Sequence, residues 1–218
     1  MQSRVLGLIG SVRAVTSSPT ADPAARRGPG RPPDLEKRKA VLQATLEVLA
    51  EVGFASLTID AVAQRAGSNR VLIYRVWDSK PALVADALFS SVADLVVPDT
   101  GSVRADLRLF VEQLVRTLTR PAHLLGVPGL TVELLGDPEL SRQTYQRYIK
   151  PSEVGFETIL ERARARGEVV AEVDARVLTN VVSGVATGLG QAMRLPAEEI
   201  TTLVVAALVG GIVPTVAR

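Results

Sequence analysis

Residues 66–80, AGSNRVLIYRVWDSK, bring together side chains that can bind a polyanion. Arg70 and Arg75 carry guanidinium groups, which donate paired hydrogen bonds to phosphates and to the acceptor edge of guanine. The hydroxyl of Tyr74 and the ammonium group of Lys80 are typical of contacts to the sugar-phosphate backbone. These residue types favour contact with nucleic acid over catalysis.

Short helices separated by a tight turn are predicted to position this set. Thr58 is a predicted N-cap, and the residues after it show apolar side chains at helical spacing: Ile59, Val62, Ala63 and Ala66. Gly67 suits the left-handed position that ends such a helix, and Asn69 is a good cap for the next one. Ile73 and Trp77 lie one turn apart, so both should face the preceding helices.

The helices on either side follow the same rules. Asp34 is a predicted N-cap for a first helix that ends at Gly53, with an apolar face made by Leu42, Leu46, Leu49 and Val52. Asp78 or Ser79 begins a fourth helix, with Pro81 in its first turn.

Two short helices joined by a glycine turn, the second one capped and basic, are typical of a helix-turn-helix whose second helix enters the DNA major groove. The alternative is a small helical core that touches no nucleic acid, with Tyr74 half-buried.

Residues 38–87 resemble the N-terminal domain of the TetR (tetracycline-repressor) family of transcriptional regulators. The residues that match the family pattern are Gly53, Phe54, Thr58, Val62, Ala63, Ala66, Gly67, Ile73, Tyr74, Trp77, Ser79, Lys80 and Leu83. The rest of the chain matches the family more loosely, in being helical and of suitable length.

This resemblance implies roles for individual residues. Tyr74 and Lys80 would contact phosphates, and Thr58 would bind a phosphate at a helix N-terminus. Asn69 would lie close to the duplex, and the residues that would face the groove are Arg70, Val71, Leu72 and Arg75. Position 71 is usually small in the family and position 72 is often Thr, so this chain departs from the pattern at both. We hypothesise that Val71 and Leu72 contact thymine methyl groups.

Residues 1–33 are predicted to form a flexible basic arm, because they lack periodicity and are rich in Pro, Gly, Ser and Ala. The segment RRGPGRPPD contains Gly-Arg-Pro, which is similar to the core of an AT-hook. Arg31, together with Arg27, would then bind DNA, with Arg31 inserted into a narrow A·T-rich minor groove. A basic linker without a groove contact is the alternative.

The distribution of charge agrees with a polyanion partner at one end of the chain. Residues 26–80 contain ten Lys and Arg against six Asp and Glu, whereas residues 81–218 contain thirteen against sixteen. The chain has no Cys and one His, and it shows no metal-ligand spacing, GxSxG, P-loop or dinucleotide motif, so we predict no enzyme, metal or cofactor. The lack of Cys fits a cytoplasmic location.

The remainder of the chain is predicted to be helical, so the expected fold class is all-α. Periodic apolar residues occupy segments 103–120, 128–135, 138–166, 174–194 and 196–216, and no period-2 alternation is present. The apolar run at 200–213 contains polar breaks and is too short to span a membrane. We therefore predict a DNA-binding domain at 34–80 and a larger helical ligand-binding and dimerisation domain at 81–218.

A helix-turn-helix alone reads too little DNA to find one site, so two copies reading a palindrome are expected. The last two helices are rich in Gly, Ala, Ser and Val, which permits close helix packing. The resemblance implies that they form the homodimer interface, with C2 symmetry. The alternative is that they form an intramolecular core.

The resemblance also implies a pocket for a small-molecule effector, which the apolar lining predicts to be apolar or amphipathic. Polar candidates for this pocket are His123, Glu133, Tyr145 and Tyr148. Each also has an ordinary explanation, since a single His is commonly a satisfied or surface residue and the other three could face solvent.

The function expected is a ligand-responsive repressor that binds an operator. The alternative is an architectural or constitutive DNA-binding regulator without a sensor, and the polar faces of the helices disfavour a membrane-surface protein.

Overall fold

The computed structural model describes residues 33–168 and 173–212, and every regular element in these ranges is helical, which confirms the all-α fold class. The α-helices are α1 (Pro33–Ser56), α2 (Ile59–Arg65), α3 (Arg70–Tyr74), α4 (Lys80–Ala93), α5 (Val103–Leu118), α6 (Pro121–Gly136), α7 (Pro138–Thr144), α8 (Lys150–Ala165), α9 (Ala175–Gly188) and α10 (Ala197–Ile212). Two π-helical turns interrupt them, the first π turn at Tyr145–Ile149 and the second π turn at Leu189–Met193.

The first helix differs from its prediction at its start. It begins at Pro33 rather than after a cap at Asp34, because proline at the first helical position needs no hydrogen-bond partner. Gly53 has φ 72° and ψ 176°, so the regular helix is interrupted there as the sequence predicts, and a short second helical stretch continues to Ser56.

The predicted apolar face of α1 is confirmed at Leu49, which is fully buried, and is wrong at Val52, which is 48% exposed. Leu42 and Leu46 are partly buried and pack against the core. The other buried residues of α1 were not predicted: Val41, Ala44, Thr45, Val48 and Phe54. Which side of α1 is covered depends on the helices that pack against it. The spacing of Leu residues does not identify those neighbouring helices.

The helix caps at α2, α3 and α4 agree with the sequence analysis. The side chains of Thr58, Asn69 and Ser79 each accept a hydrogen bond from a backbone N–H in the first turn of the helix that follows. Gly67 has φ +59°, the left-handed conformation predicted for the end of α2. These local interactions define the turn that separates α2 from α3.

Residues from Asp34 onward form one compact unit. Helix α4 begins at Lys80, which is also the predicted boundary between the two domains. Helix α4 is buried on all sides from Leu83 to Phe89, and it packs against α6, α8 and the first π turn. Helix α5 packs in turn against α8, α9 and α10, and its Phe110 ring meets Phe156 edge to face at 4.9 Å.

Pro128 was predicted to begin a helix but lies inside α6. A proline cannot donate the backbone hydrogen bond that the carbonyl four residues earlier would accept. That carbonyl belongs to Leu124, and it accepts a hydrogen bond of 2.8 Å from the side-chain amide of Gln191 in the second π turn. A distant side chain thus replaces the bond that Pro128 removes, which allows α6 to continue.

In the ranges that the structure covers, no helix combines the length and the apolar character needed to cross a membrane.

Candidate nucleic-acid interface

Helix α3 is held from one side by two apolar side chains. Ile73 is 1% exposed and Trp77 is 6% exposed, and both belong to the hydrophobic core. The indole N–H of Trp77 also donates a hydrogen bond of 2.8 Å to the carboxylate of Asp86 in α4. These contacts confirm that Ile73 and Trp77 face the protein, and they leave the opposite side of α3 free.

The opposite side of α3 carries the residues that the sequence analysis selected. Val71 is 71% exposed, and the other members of this group are also exposed: Asn69, Arg70, Leu72, Tyr74 and Arg75. Asn69 Oδ1 accepts the backbone N–H of Leu72 at 2.9 Å, so the cap holds the first turn of the helix. A short helix that presents two guanidinium groups and large apolar side chains has the shape and chemistry to read a DNA groove.

Arg70 has partners within the protein that the sequence analysis missed. Its Nη1 lies 3.6 Å from Oδ2 of Asp60, and its guanidinium lies 5.3 Å from the centre of the Tyr74 ring. Both members of the Arg70–Asp60 pair are largely exposed, so the pair contributes little to stability. Arg70 can therefore exchange Asp60 for a nucleic-acid acceptor at small cost. The charge of Asp60 was visible in the sequence, but its distance from Arg70 depends on how α2 crosses α3.

Two further predicted contacts lie beside the start of α2. The Thr58 hydroxyl accepts the N–H of Ala61 at 3.2 Å, and it keeps its own hydrogen for donation to an anion. Lys80 is partly buried, with Nζ 3.4 Å from the carbonyl of Ala55 and 4.5 Å from the centre of the Phe54 ring. The structure therefore places Lys80, the first residue of α4, against the end of α1.

A basic cleft of about 250 Å³ joins α3 to the N-terminal part of α1. Its lining includes Arg75, together with Lys37 and Arg38, which the sequence analysis did not select. The run EKRK at 36–39 was the only available indication, and such runs are common on solvated helices. Arg27 and Arg31 lie outside the described residues.

The four candidate ligand residues occupy unrelated surroundings. Glu133 is exposed, and the hydroxyl of Tyr145 donates to Glu153 at 2.7 Å. This hydrogen bond, more than burial, raises the pKa of Tyr145. Tyr148 is 7% exposed, contrary to the expected solvent-facing position, and its hydroxyl donates to Asp86 at 2.5 Å. Burial first, and then the bond to Asp86, raises the pKa of Tyr148.

His123 is 1% exposed, and its two ring nitrogens differ, because Nε2 has a hydrogen-bond partner and the buried Nδ1 has none. Its Nε2 lies 2.7 Å from the carbonyl oxygen of Leu88, so Nε2 carries the proton and donates it. Its ring also meets Phe89 edge to face at 6.3 Å. Burial lowers the pKa of His123 to about 4, although the bond to Leu88 opposes this effect.

The buried imidazole predicts that stability depends on pH. Between pH 7 and pH 5, His123 becomes protonated in the unfolded chain but stays neutral in the folded chain. The free energy of unfolding therefore falls as the pH falls. The pKa of about 4 implies that His123 contributes about 2 kcal/mol of this loss. Urea unfolding at pH 7, 6 and 5 measures it.

The control for this prediction is His123→Gln, which keeps a side-chain N–H for Leu88 and does not titrate. Because the chain has one His, the difference between the two pH profiles isolates this residue. Parallel profiles for the wild type and the variant would contradict the prediction.

An open cleft of about 600 Å³ lies between the end of α4 and α5. Its apolar residues are Leu95, Val96, Pro98 and Leu109, and its polar residues include Gln113, Arg116 and Arg120. It contains none of the four candidate ligand residues. Within the described ranges there is also no group of three or more His, Asp or Glu side chains that could hold a metal ion.

Comparison with known proteins agrees with this geometry. Residues 41–87 match the family described as bacterial regulatory proteins, tetR family, and residues 97–211 match the family described as tetracyclin repressor-like, C-terminal domain. The second match by itself covers more than half of the chain.

Individual proteins show the same relationship. The uncharacterized HTH-type transcriptional regulator YdeS of Bacillus subtilis is 32% identical over 161 residues, which are 71% of this chain and 78% of YdeS. The DNA-binding transcriptional repressor TetR of Mycobacteroides abscessus is 31% identical over 150 residues, which are 68% of this chain and 78% of that protein. The crystal structure of the TetR family transcription regulator SCO0332 has 31% identity and a TM-score of 0.60, and the match covers 82% of this chain and 100% of SCO0332. The chain belongs to the TetR family of DNA-binding transcriptional regulators, which are not enzymes.

Proposed function

We propose that this regulator is a ligand-responsive repressor that binds a palindromic operator as a homodimer. The observation that carries the proposal is the exposed face of α3, supported from behind by Ile73 and Trp77 and capped by Asn69. In this proposal residues 34–80 bind DNA and residues 81–218 bind the effector and the second protomer. The arm at residues 1–33 adds Arg27 and Arg31 to the DNA contacts.

The residues divide into two groups by their position. The side chains that point away from the core on α3 would enter the major groove: Arg70, Val71, Leu72 and Arg75. Thr58, Tyr74 and Lys80 would bind phosphates, because they supply hydroxyl or ammonium donors beside the groove-facing set. Lys37 lines the same cleft as Arg75, so we add it to the phosphate contacts.

Selection of bound sequences from a random pool of double-stranded DNA tests this proposal. The expected product is a palindrome whose half-sites lie about 34–36 Å apart, or a multiple of that distance. Recovery of unrelated sequences with no shared half-site would contradict operator recognition. An A·T-rich pool without a palindrome would favour the architectural alternative.

Val71→Ala should weaken binding to the selected operator if Val71 covers a thymine methyl group. Removing the apolar contact costs about 1 kcal/mol, equivalent to about a fivefold rise in Kd. Fluorescence anisotropy with labelled operator measures the change.

The matched control for Val71 replaces the contacted thymine with uracil, which removes the methyl group from the DNA instead. The two changes should not add, since each abolishes the same contact. Additive losses, or an unchanged operator preference for Val71→Ala, would show that Val71 does not contact a methyl group.

The last two helices present the surface that a homodimer needs. On α9 the exposed residues include Val177, Val181, Gly184, Val185 and Gly188, and on α10 they include Leu203, Ala206, Ala207 and Gly210. The two helices pack against each other, so these residues belong to adjacent faces. An exposed apolar surface rich in small side chains favours close packing with a second copy.

Val181→Arg should convert the dimer into a monomer, because it buries a charge at the centre of this surface. Light scattering at micromolar concentration measures the mass. Val154→Arg on α8 is the control, since Val154 is also exposed but lies on neither helix. A wild-type protein that is already monomeric would favour the intramolecular alternative.

Two observations support the proposed ligand response and repression. The relative from M. abscessus is named as a repressor, and the cleft between α4 and α5 could hold an apolar or amphipathic effector. A thermal-shift screen of amphipathic compounds, followed by release of operator DNA, tests for a sensor. Compounds that bind without changing operator affinity would favour a constitutive regulator.

A further inference from the structure

A buried carboxylate joins three separate parts of the chain. Asp86 in α4 is 3% exposed and accepts hydrogen bonds on both of its oxygens. Oδ2 accepts from Nη2 of Arg38 at 2.5 Å and from Nε1 of Trp77 at 2.8 Å, and Oδ1 accepts from the hydroxyl of Tyr148 at 2.5 Å. The three donors come from α1, from the residues after α3, and from the first π turn.

These donors make a buried charge tolerable. A carboxylate removed from water without partners would be strongly destabilising. Burial by itself raises the pKa of Asp86, but the hydrogen bonds from Tyr148, Arg38 and Trp77 outweigh it and hold the pKa below its ordinary value. The carboxylate is therefore charged at neutral pH, and each donor is strongly held.

Two of the donors lie close to each other: Arg38 is in α1, and Trp77 is in the connection between α3 and α4. Trp77 is one of the two apolar supports of α3, and the guanidinium of Arg38 lies 5.7 Å from the centre of its ring. Tyr148 is different, because it lies between α7 and α8. Its hydroxyl is thus a link between the larger set of helices and the side chain that positions α3.

Tyr148 lies on the first π turn, between α7 and α8. A π turn holds one residue more than an α-helical turn, and such turns are frequent at functional sites. Converting it to α-helix would rotate the residues on one side by about 100°, which would withdraw Tyr148 from Asp86. Such a change would remove one of the hydrogen bonds that position Asp86, which in turn accepts the indole N–H of Trp77.

We propose that Tyr148 and Asp86 form a joint through which helices α7 and α8 hold Trp77, and with it α3, in position. Through this joint, a movement of the C-terminal helices would change the orientation of α3. The effect on DNA binding rests on the proposed function, in which α3 reads the operator. Tyr148 is a positioning residue in this scheme, because it acts on DNA through Asp86 and Trp77.

Tyr148→Phe tests the joint, because it removes the hydroxyl and keeps the ring. Tyr145→Phe is the matched control, since Tyr145 lies on the same π turn but donates to Glu153. Trp77 is the only tryptophan in the chain, so intrinsic fluorescence reports on the joint directly. In Tyr148→Phe we expect a shifted emission maximum, greater quenching by acrylamide, and amide hydrogen exchange in α3 that is about tenfold faster. Tyr145→Phe should match the wild type.

Exchange in α5 and α8 separates a loosened joint from a destabilised protein. The proposal expects their exchange to stay at the wild-type rate in Tyr148→Phe, while operator Kd rises severalfold. Unchanged Trp77 fluorescence and unchanged exchange in α3 would overturn the joint, as would equal acceleration throughout the chain. The fluorescence and hydrogen-exchange measurements need neither DNA nor effector. A failure to select a palindrome would therefore contradict the proposed function without deciding whether Tyr148 holds Trp77 in position.

Discussion

Trp77→Ala is expected to lower the free energy of unfolding by about 4 kcal/mol and to abolish specific DNA binding. The indole is almost fully buried among the helices that support α3, and its removal leaves a cavity that α3 cannot fill without moving. The change also removes one of the three donors to Asp86. Urea unfolding measures the stability, and anisotropy with operator DNA measures the binding.

Val76→Ala is the control, because Val76 precedes Trp77 and is 48% exposed. It should change the free energy of unfolding by less than about 0.5 kcal/mol, as surface substitutions usually do. If Trp77→Ala kept wild-type stability and operator affinity, the support that we assign to the indole would be wrong. If Val76→Ala lost operator binding and Trp77→Ala did not, the residue needed for DNA binding would be the exposed Val76.

Gly129→Ala should destabilise the protein by about 2 kcal/mol, although Ala is normally the better helix former. A Cβ at position 129 would lie 2.6 Å from Cδ1 and 2.7 Å from Cβ of Phe54. Phe54 is buried at the end of α1, so it cannot move aside without shifting the backbone of the helix-turn-helix. Lys80, whose ammonium lies over the Phe54 ring, would be displaced with it.

Gly136→Ala in the same helix provides the comparison, because a Cβ there meets no atom within 4 Å. That variant should be as stable as the wild type or more stable, by up to about 1 kcal/mol. Thermal unfolding of the pair measures the difference. Equal melting temperatures would mean that Phe54 and α6 lie further apart than the structure shows.

The helix-turn-helix could be predicted from the sequence because its determinants are local. Asn69 caps the helix that immediately follows it, and Gly67 allows the left-handed conformation at its own position. Ile73 and Trp77 are one turn apart, so their common direction follows from helical geometry. The same reasoning identified the exposed face of α3. The resemblance to the TetR family, which the comparisons confirmed, rests on these same positions.

The candidate ligand residues could not be placed in this way. A tyrosine in an amphipathic helix can face solvent or another helix, and the surrounding residues do not decide between them. Tyr148 proved to be buried beside Asp86, and His123 proved to be buried with its Nε2 bonded to the carbonyl of Leu88, because α4 lies opposite both residues. The position of a partner helix is a property of the whole fold.

Residue types and spacing alone thus determined the all-helical class, the caps, and the orientation of α3 toward solvent. Only the tertiary structure decided that Asp86 meets Arg38 and Tyr148, which are 48 and 62 residues away from it. It also decided that Gln191 replaces the hydrogen bond removed by Pro128. A cap or a turn is satisfied within four residues, so its energy is encoded where it acts. A buried charge, or a carbonyl without a hydrogen-bond partner in its own helix, is satisfied by whichever helix packs against it. Many sequences with the same local pattern would pack their helices differently.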